Sequence, residues 1–472
     1  MKYSKLFFLI LGIAISFSAG AQEPWSLEDC INYAHSNNLQ IKRAVLQADV
    51  AGINEKQAVT NILPDLNAGI NRNYNFGRSV DPFTNNFITN NSVSDNFQLT
   101  SSVSLFNGLQ NYNNIKRNQY STLATITSIE QTKIEITFLI SAAYLDILFK
   151  KELVNVAENQ MAVTSQQVNR TEKLVEAGNV AKGNLLEIKA QLANEKLTLT
   201  NAQNALNLST LNLCQLLDLD SISGFDVFVP DTIDSGFLTS IPSFPVVYNE
   251  ALTYLPHIKG AQYELKSNEY YLEMQKGARS PQLYLSGSIY TGYSDQRTLT
   301  DNNATPFETE IGYLRSNPSQ TVVSQMLPST DYPYSQQLND NLSERLTIGL
   351  QIPILNRWET NNNIAKARIQ VEDSKYKLDQ VKQELMKDIQ QAYSDAVSAK
   401  EKFNAAVEAV NSYKEAFVYT EQKFNVGIVN SVEYNIAKNN FTKAESDLLQ
   451  AKYEYIFSAK ILDFYRGIPI TL

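Results

Sequence analysis

The chain has 472 residues, of which 40 are Lys or Arg, 49 are Asp or Glu and two are cysteines. The net charge of −9 argues against nucleic-acid binding, because that function needs a basic surface. Two cysteines, Cys30 and Cys214, are too few for a disulfide scaffold, and both are expected to be buried free thiols on apolar helix faces.

Residues 1–21 have the features of a secretory signal peptide. Lys2 and Lys5 are positively charged, residues 7–17 are apolar, and Ala19-Gly20-Ala21 forms a typical cleavage site. The residues just before Cys30 are not the small neutral ones that a lipidated cysteine needs, so no lipid anchor is expected. No later segment is an apolar run long enough for a transmembrane helix, so a membrane location would require a β-barrel.

The mature sequence is predicted to be a tandem duplication. At an offset of 217 residues Leu63-Pro64 aligns with Ser280-Pro281, and at an offset of 249 Asn113-Asn114-Ile115 aligns with Asn362-Asn363-Ile364. The difference of 32 residues places one insertion in the loop 294–341. Composition leaves open whether this loop folds over the end of the paired strands or stays exposed. The predicted repeats are 22–245 and 246–472.

Four segments alternate apolar and polar residues, which predicts strands with one apolar and one polar face. Their lengths of about 10–13 residues suit tilted transmembrane strands. Arg72 interrupts the apolar face of the first predicted strand. The predicted strands are 66–76, 97–106, 283–293 and 342–354, which form the hairpins 66–106 and 283–354. The polar face of the first strand, expected to face the pore, carries Asn67, Asn71, Asn73 and Asn75.

Long heptad repeats follow each hairpin. Residues 109–175 contain neither Pro nor Gly, and an apolar residue recurs at every seventh position from Ile140 to Val175. Such a repeat predicts a left-handed coiled coil, and 67 helical residues extend about 100 Å. Gly178 and Gly427 lie where the chain reverses, as expected of helix C-caps. The predicted coiled-coil helices are 109–175, 180–217, 357–425 and 430–466, and the segment 218–245 connects the two repeats.

Four strands cannot close a barrel, and open strand edges are not tolerated in lipid. The barrel must therefore be shared between copies of the chain. Two copies would give about eight strands, and side chains fill the interior of a barrel of that size. Three copies would give about 12 strands, which leaves an aqueous lumen. The predicted fold class is an α+β membrane protein, with four transmembrane strands per chain in a 12-stranded trimeric barrel fused to an α-helical coiled-coil barrel.

Taken together, these features resemble the TolC-like outer-membrane efflux proteins, over essentially the whole mature chain. The resemblance rests on the duplication and on the order of several short segments. These are Trp25-Ser26-Leu27-Glu28-Asp29-Cys30-Ile31, Leu63-Pro64-Asp65-Leu66, Ser280-Pro281-Gln282-Leu283, Glu172-Lys173-Leu174-Val175-Glu176-Ala177-Gly178 and Glu421-Gln422-Lys423-Phe424-Asn425-Val426-Gly427.

The resemblance implies a homotrimer in the outer membrane of a Gram-negative bacterium, embedded in lipid, with its helical part in the periplasm. It also implies that 218–245 is an equatorial linker, although a flexible Pro-rich connector is equally compatible with this segment. It also implies that the helix-turn-helix tips dock to a periplasmic adaptor, which is coupled to an inner-membrane transporter. The residues at the family's tip positions are Lys173, Val175, Gly178, Lys423, Phe424 and Gly427. The lysines could equally be solvated surface residues, and the glycines could be caps alone.

The resemblance further implies an acidic pore constriction just after the second tip. Glu433 matches one such position, and three-fold symmetry would turn it into a ring of three carboxylates. The next inward position is Ile436, so the family's second carboxylate is missing here. Asn184 and Glu187 are the first-half equivalents. A solvated helix position is the alternative interpretation of Glu433.

Nothing in the sequence indicates catalysis. His35 and His257 are the only histidines, and neither accompanies a plausible catalytic or metal-binding cluster. We therefore expect no enzyme activity, no cofactor, no metal site and no nucleic-acid partner. The leading functional interpretation is the passive exit duct of a tripartite efflux pump. The alternatives are the exit duct of a type I protein-secretion system and a non-transporting periplasmic coiled-coil scaffold.

Overall fold

The computed structural model describes residues 24–80, 85, 87–88, 91–222, 224–230 and 241–470. The predicted signal peptide and residues 231–240 of the predicted linker lie outside these residues. Spatial contacts divide the chain into two units. The helical unit comprises the chain up to Ala51, Tyr120–Leu265 and the chain from Asp373 onward, and the sheet unit comprises Gly52–Gln119 and Lys266–Glu372.

Helices account for most of the described residues. Within that part of the chain, no helix combines the length and the apolar character that crossing a membrane requires. The helices are α1 (Leu27–Asn37), α2 (Leu39–Thr60), α3 (Gln110–Glu176), α4 (Lys182–Leu216), α5 (Phe244–Tyr254), α6 (Pro256–Gly277), α7 (Tyr334–Asp340), α8 (Glu359–Asn425) and α9 (Ser431–Tyr465).

A capping box fixes the start of α1. Ser26 Oγ accepts a hydrogen bond from the Asp29 N–H, and the Asp29 carboxylate accepts one from the Ser26 N–H, each at 3.1 Å. This exchange satisfies backbone donors that a helix start leaves without partners.

Cys30, on the buried face of α1, belongs to the same core cluster as Tyr144, and burial raises the pKa of its thiol to about 12. Both cysteines are buried and free, as predicted.

The long helices occur as two pairs of matching length. α3 and α8 have 67 residues each, and α4 and α9 have 35 each. Their bounds lie within two residues of those expected from the heptad repeats. The apolar residues that recur every seven positions, here called the heptad seam, lie on the packed side of α3, α4 and α9. Its buried members are Ile140, Ile147 and Val168 on α3, Leu185, Leu199 and Leu213 on α4, and Tyr434, Tyr455 and Leu462 on α9.

Within the described residues, the sheet unit has one four-stranded antiparallel sheet in the order β1 (Asn67–Asn75), β4 (Ser92–Phe106), β5 (Gln282–Ser294) and β10 (Ser343–Gln351), and three two-stranded sheets. β1 and β10 are the edges of the larger sheet. The other strands are β2 (Ser79–Val80), β3 (Phe87–Ile88), β6 (Thr298–Thr300), β7 (Phe307–Leu314), β8 (Asn317–Met326) and β9 (Ser329–Asp331).

Two strand bounds differ from the sequence-based expectation by more than one residue. β10 ends at Gln351 rather than at residue 354, since Pro353 lacks the N–H that would continue the ladder. β4 begins at Ser92 rather than at residue 97. The alternation is broken there by Asp95, which lies opposite Arg72 of β1 and forms a two-bond ion pair with it, both bonds 2.7 Å long. Arg72, the exception on the apolar face, therefore has a charged partner.

The backbone turns beside the sheet approach each other closely. A Cβ atom on Gly108 would lie 2.2 Å from the carbonyl oxygen of Gly277, and one on Gly277 would lie 2.3 Å from the carbonyl oxygen of Gly108. Gly108 also has a φ of +67°. Because the clashing atoms belong to the main chain, no side-chain rotation can relieve the overlap. This crossing of β4's end with α6's end requires two glycines.

Candidate functional site

The two helix-turn-helix tips end in the same backbone motif. Gly178 has a φ of +75°, its N–H bonds to the Val175 carbonyl at 3.0 Å, and the Asn179 N–H bonds to the Leu174 carbonyl at 2.9 Å. In the second tip Gly427 has a φ of +78°, with matching bonds from Gly427 to Phe424 and from Ile428 to Lys423. These are Schellman caps, so both glycines have a structural role.

The other predicted tip residues divide into packed and exposed side chains. Val175 and Phe424 pack against the buried cluster of Val168, Leu185 and Ile188. The Phe424 ring also stacks on Tyr434, with ring centroids 4.7 Å apart. Lys173 and Lys423 are exposed. Of the predicted set, the two lysines are therefore the side chains that a partner could contact without disturbing the tip.

The second tip also exposes apolar side chains that the sequence analysis did not single out. Val426 is 71% exposed and Ile428 is 72% exposed, on either side of Gly427. Val432 and Ile436 continue this exposed surface on α9. The run Val-Gly-Ile-Val at a turn was the available signal, since turns usually carry polar residues. The second tip thus offers an exposed lysine beside apolar surface.

A cavity of about 510 Å³ lies between the tips, and Asn184 and Glu433 both line it. Glu433 is exposed, and its backbone N–H bonds to the Asn430 side chain at 2.9 Å as part of the cap of α9. Arg170 lines the same cavity and donates to Asn425 Oδ1 at 2.5 Å. The structure therefore brings two of the three predicted constriction residues together.

The third predicted constriction residue, Glu187, has a different environment. Its carboxylate accepts a hydrogen bond from the hydroxyl of Ser431, which is buried at the start of α9. Glu187 is not among the residues that line the tip cavity. Its contact joins α4 to α9 within the chain, and this gives the carboxylate a structural partner.

The predicted pore-facing asparagines lie along one continuous polar face of the sheet. Asn67, Asn71, Asn73 and Asn75 of β1 lie opposite Thr100, Asn96, Ser94 and Ser92 of β4. The face continues across β5, where Ser288 lies opposite Thr100 and Ser286 lies opposite Ser102. The other face carries apolar residues such as Ile70, Leu346 and Ile348, all exposed in the single chain.

A buried ion pair in the helical unit escaped the sequence analysis. Lys438 Nζ of α9 donates to Glu195 Oε1 of α4 at 3.2 Å, to the Gln160 carbonyl of α3 at 3.2 Å and to the Thr164 hydroxyl. The two charged side chains are 3% and 8% exposed. Burial lowers the pKa of Lys438, and Glu195 opposes that shift. The available sequence signal was the position of Lys438 within the heptad repeat of α9, four residues after Tyr434 and three residues before Phe441.

Each histidine has a polar side-chain partner. His35 Nε2 lies 2.9 Å from Thr137 Oγ1, and His257 Nδ1 lies 3.2 Å from Gln131 Oε1. Burial lowers the pKa of both rings. Among the described residues, no three His, Cys, Asp or Glu side chains are grouped so that they could hold a metal ion.

Comparisons with known proteins agree on one family. The sequence profile of the family described as outer membrane efflux protein matches residues 30–218 and 247–465. The chain is 19% identical over 456 residues to the outer membrane efflux protein BepC of Brucella suis, covering 96% of this chain and 87% of BepC. It is 20% identical over 450 residues to the alkaline protease secretion protein AprF of Pseudomonas aeruginosa, covering 94% and 84%.

Solved structures show the same fold. CusC, described in terms of transmembrane channel formation, superimposes with a TM-score of 0.75 at 16% sequence identity. The match covers 94% of this chain and 92% of CusC. At this level of identity the likeness establishes the shared fold, and it does not identify a substrate.

Proposed function

Because the chain belongs to the outer membrane efflux protein family, we propose that it is the passive exit duct of a tripartite efflux pump. It is located in the outer membrane. The homologues are channel proteins rather than enzymes, so energy for transport would come from the inner-membrane transporter. The observation that carries the proposal is the two-faced sheet with two unpaired edges.

Closure of that sheet supports a trimer. β1 and β10 each lack a strand partner on one side within the described chain, and unpaired edges are costly in lipid. Pairing β10 of one copy with β1 of the next would close the sheet. Three copies would give about 12 strands, enough to leave an aqueous lumen lined by the polar faces. The apolar faces would contact outer-membrane lipid.

The internal duplication belongs to the same proposal. The matching lengths of α3 and α8, and of α4 and α9, support repeats at 22–245 and 246–472. The two segments matched by the family profile fall one in each repeat. A duplicated chain in three copies would supply six similar helix pairs to a coiled-coil barrel.

Ion conductance tests the channel directly. Purified protein in planar lipid bilayers should give stepwise currents, because a lumen lined by Asn and Ser side chains holds water. A folded trimer that inserts without conducting would contradict the duct and favour the periplasmic scaffold.

The similarity to AprF supports protein secretion as the second candidate. Mass spectrometry of the native complex would separate the two, since the inner-membrane partner differs.

Charge reversal at Lys423 is expected to abolish efflux without lowering the yield of trimer. Lys423 is exposed at the second tip, and so its replacement leaves the packed cluster intact while placing a negative charge at the proposed adaptor contact. Drug susceptibility of a strain that depends on this chain provides the measurement. Lys443→Glu, at an exposed position on α9, is the matched control. Unchanged resistance in Lys423→Glu would remove this contact from the proposal.

Glu433→Gln is expected to reduce the cation selectivity of the channel and its block by divalent ions. In a trimer Glu433 would contribute three carboxylates at the tip cavity, and rings of like charge select counter-ions. Reversal potentials in a salt gradient measure the effect. Glu158→Gln, an exposed substitution on α3, is the control. Equal selectivity in the two variants would leave Glu433 as an ordinary helix-start residue.

A further inference from the structure

The sheet has an edge that is only partly covered by a strand. β5 pairs with β4 as far as Ser294, whereas its pairing with β10 stops where Tyr290 lies opposite Ser343. Within the described chain, no strand pairs with residues 291–294 on the β10 side. The backbone groups on that side therefore need other partners if the edge is to be satisfied.

Side chains of α7 and its C-cap supply those partners. Gln337 Oε1 accepts from the Ser294 N–H at 3.1 Å, and Gln337 Nε2 donates to the Ser294 carbonyl at 3.0 Å. Asn341 Nδ2 donates to the Gly292 carbonyl at 2.7 Å. Gln337 is 1% exposed. Its amide reproduces the pair of bonds that a facing residue makes in an antiparallel ladder.

The start of α7 is anchored to the apolar face of the same sheet. The Tyr334 hydroxyl donates to Asp95 Oδ2 at 3.0 Å, and this carboxylate also holds Arg72. The rings of Tyr334 and Tyr293 lie 4.6 Å apart between centroids. α7 is thus bonded to β4 and β5, on the face that also carries Tyr74 of β1.

We propose that α7 ends strand pairing at this edge and forms the contact surface for β1 of a second copy. The inference rests on the proposed shared barrel, in which the neighbour's β1 pairs with β10. The end of that β1, at Tyr74 and Asn75, would reach the edge where β10 has already stopped. There it meets α7 in place of a strand.

The chemistry of α7 favours a protein strand end over lipid as the occupant. Its exposed side chains include Ser335, Gln336 and Asn339, all of them polar. The adjoining β10 instead exposes Leu346, Ile348 and Leu350. The polar α7 surface suits the Tyr74 hydroxyl and the edge backbone groups at the end of β1, which lie on the same face, and it continues the edge along which the copies would pair.

Cross-linking tests the contact in the assembled protein. Two differently tagged chains are co-expressed, one with Tyr74→Cys and the other with Ser335→Cys, Gln336→Cys or Asn339→Cys in turn. The native Cys30 and Cys214 are buried and would not compete. Oxidation should give a covalent heterodimer with at least one α7 position. Ser319→Cys, exposed on β8, replaces the α7 cysteine as the control and should give none.

The outcomes separate this inference from the proposed function. Intact trimers with no heterodimer at any of the three α7 positions would overturn the α7 contact and leave the duct standing. A monomer in detergent would overturn the shared barrel itself. As a second measurement, Gln337→Ala should lower the temperature at which the trimer dissociates, whereas Gln320→Ala, at an exposed position on β8, should not. Equal dissociation temperatures would likewise contradict the role of α7.

Discussion

Replacing Lys438 with methionine is expected to lower the free energy of unfolding by about 3–5 kcal/mol. Methionine has nearly the shape of lysine, so the loss of stability comes mainly from removing the positive charge. It would leave the Glu195 carboxylate buried without the ammonium group 3.2 Å away. The Gln160 carbonyl and the Thr164 hydroxyl would lose the same donor. Urea unfolding in detergent, followed by circular dichroism at 222 nm, provides the measurement.

Two further variants make this result specific. Lys438→Met combined with Glu195→Leu removes both charges and should recover most of the stability, because the cost lies in an unpaired buried charge. Lys443→Met changes an exposed lysine of the same helix and should stay within about 0.5 kcal/mol of the native chain. A loss no larger in Lys438→Met than in Lys443→Met would contradict the buried ion pair.

The pH dependence of stability has a predicted sign. Burial lowers the pKa of Lys438 below its ordinary 10.5, so the unfolded chain holds this proton more tightly than the folded chain does. Between the lowered pKa and 10.5, the unfolded state therefore binds more protons, and the stability contributed by this group rises with pH. Lys438→Met should lose that slope, which unfolding curves at several alkaline pH values would reveal.

Gly108→Ala is expected to be the most damaging single methyl addition in the sheet unit. The new Cβ would lie 2.2 Å from the Gly277 carbonyl oxygen, and overpacking of this kind costs about 1–3 kcal/mol. The left-handed backbone at φ +67° adds about 1–2 kcal/mol for a residue with a side chain. Heat dissociation of the purified protein and its yield in the outer membrane measure the effect.

The second half of the chain shows which of these two causes matters more. Arg357 aligns with Gly108 at the repeat offset of 249 and has a φ of +53° without being a glycine. The backbone conformation alone is therefore tolerated. Gly69→Ala in β1 is the control, because a Cβ there would meet nothing within 4 Å. If Gly108→Ala were as stable as Gly69→Ala, the close crossing with Gly277 would be wrong.

The amino-acid sequence by itself determined the elements whose signals are local. The seven-residue repeat from Ile140 to Val175 and the two-residue alternation around Asn71 each follow from the geometry of one helix or strand. Gly178 and Gly427 mark chain reversals for the same reason, since the left-handed conformation is a property of the single residue. The order of these elements was enough to indicate the family.

The tertiary structure alone decided which distant groups meet. Asp95 pairs with Arg72, the Ser431 hydroxyl bonds to Glu187, and Lys438 of α9 pairs with Glu195 of α4. Phe424, predicted at the adaptor contact, also stacks on Tyr434 of the next helix. α7, inside a loop of undecided role, completes the edge of β5. No periodic pattern encodes such contacts, because each depends on how segments far apart in the chain align when their apolar faces are buried.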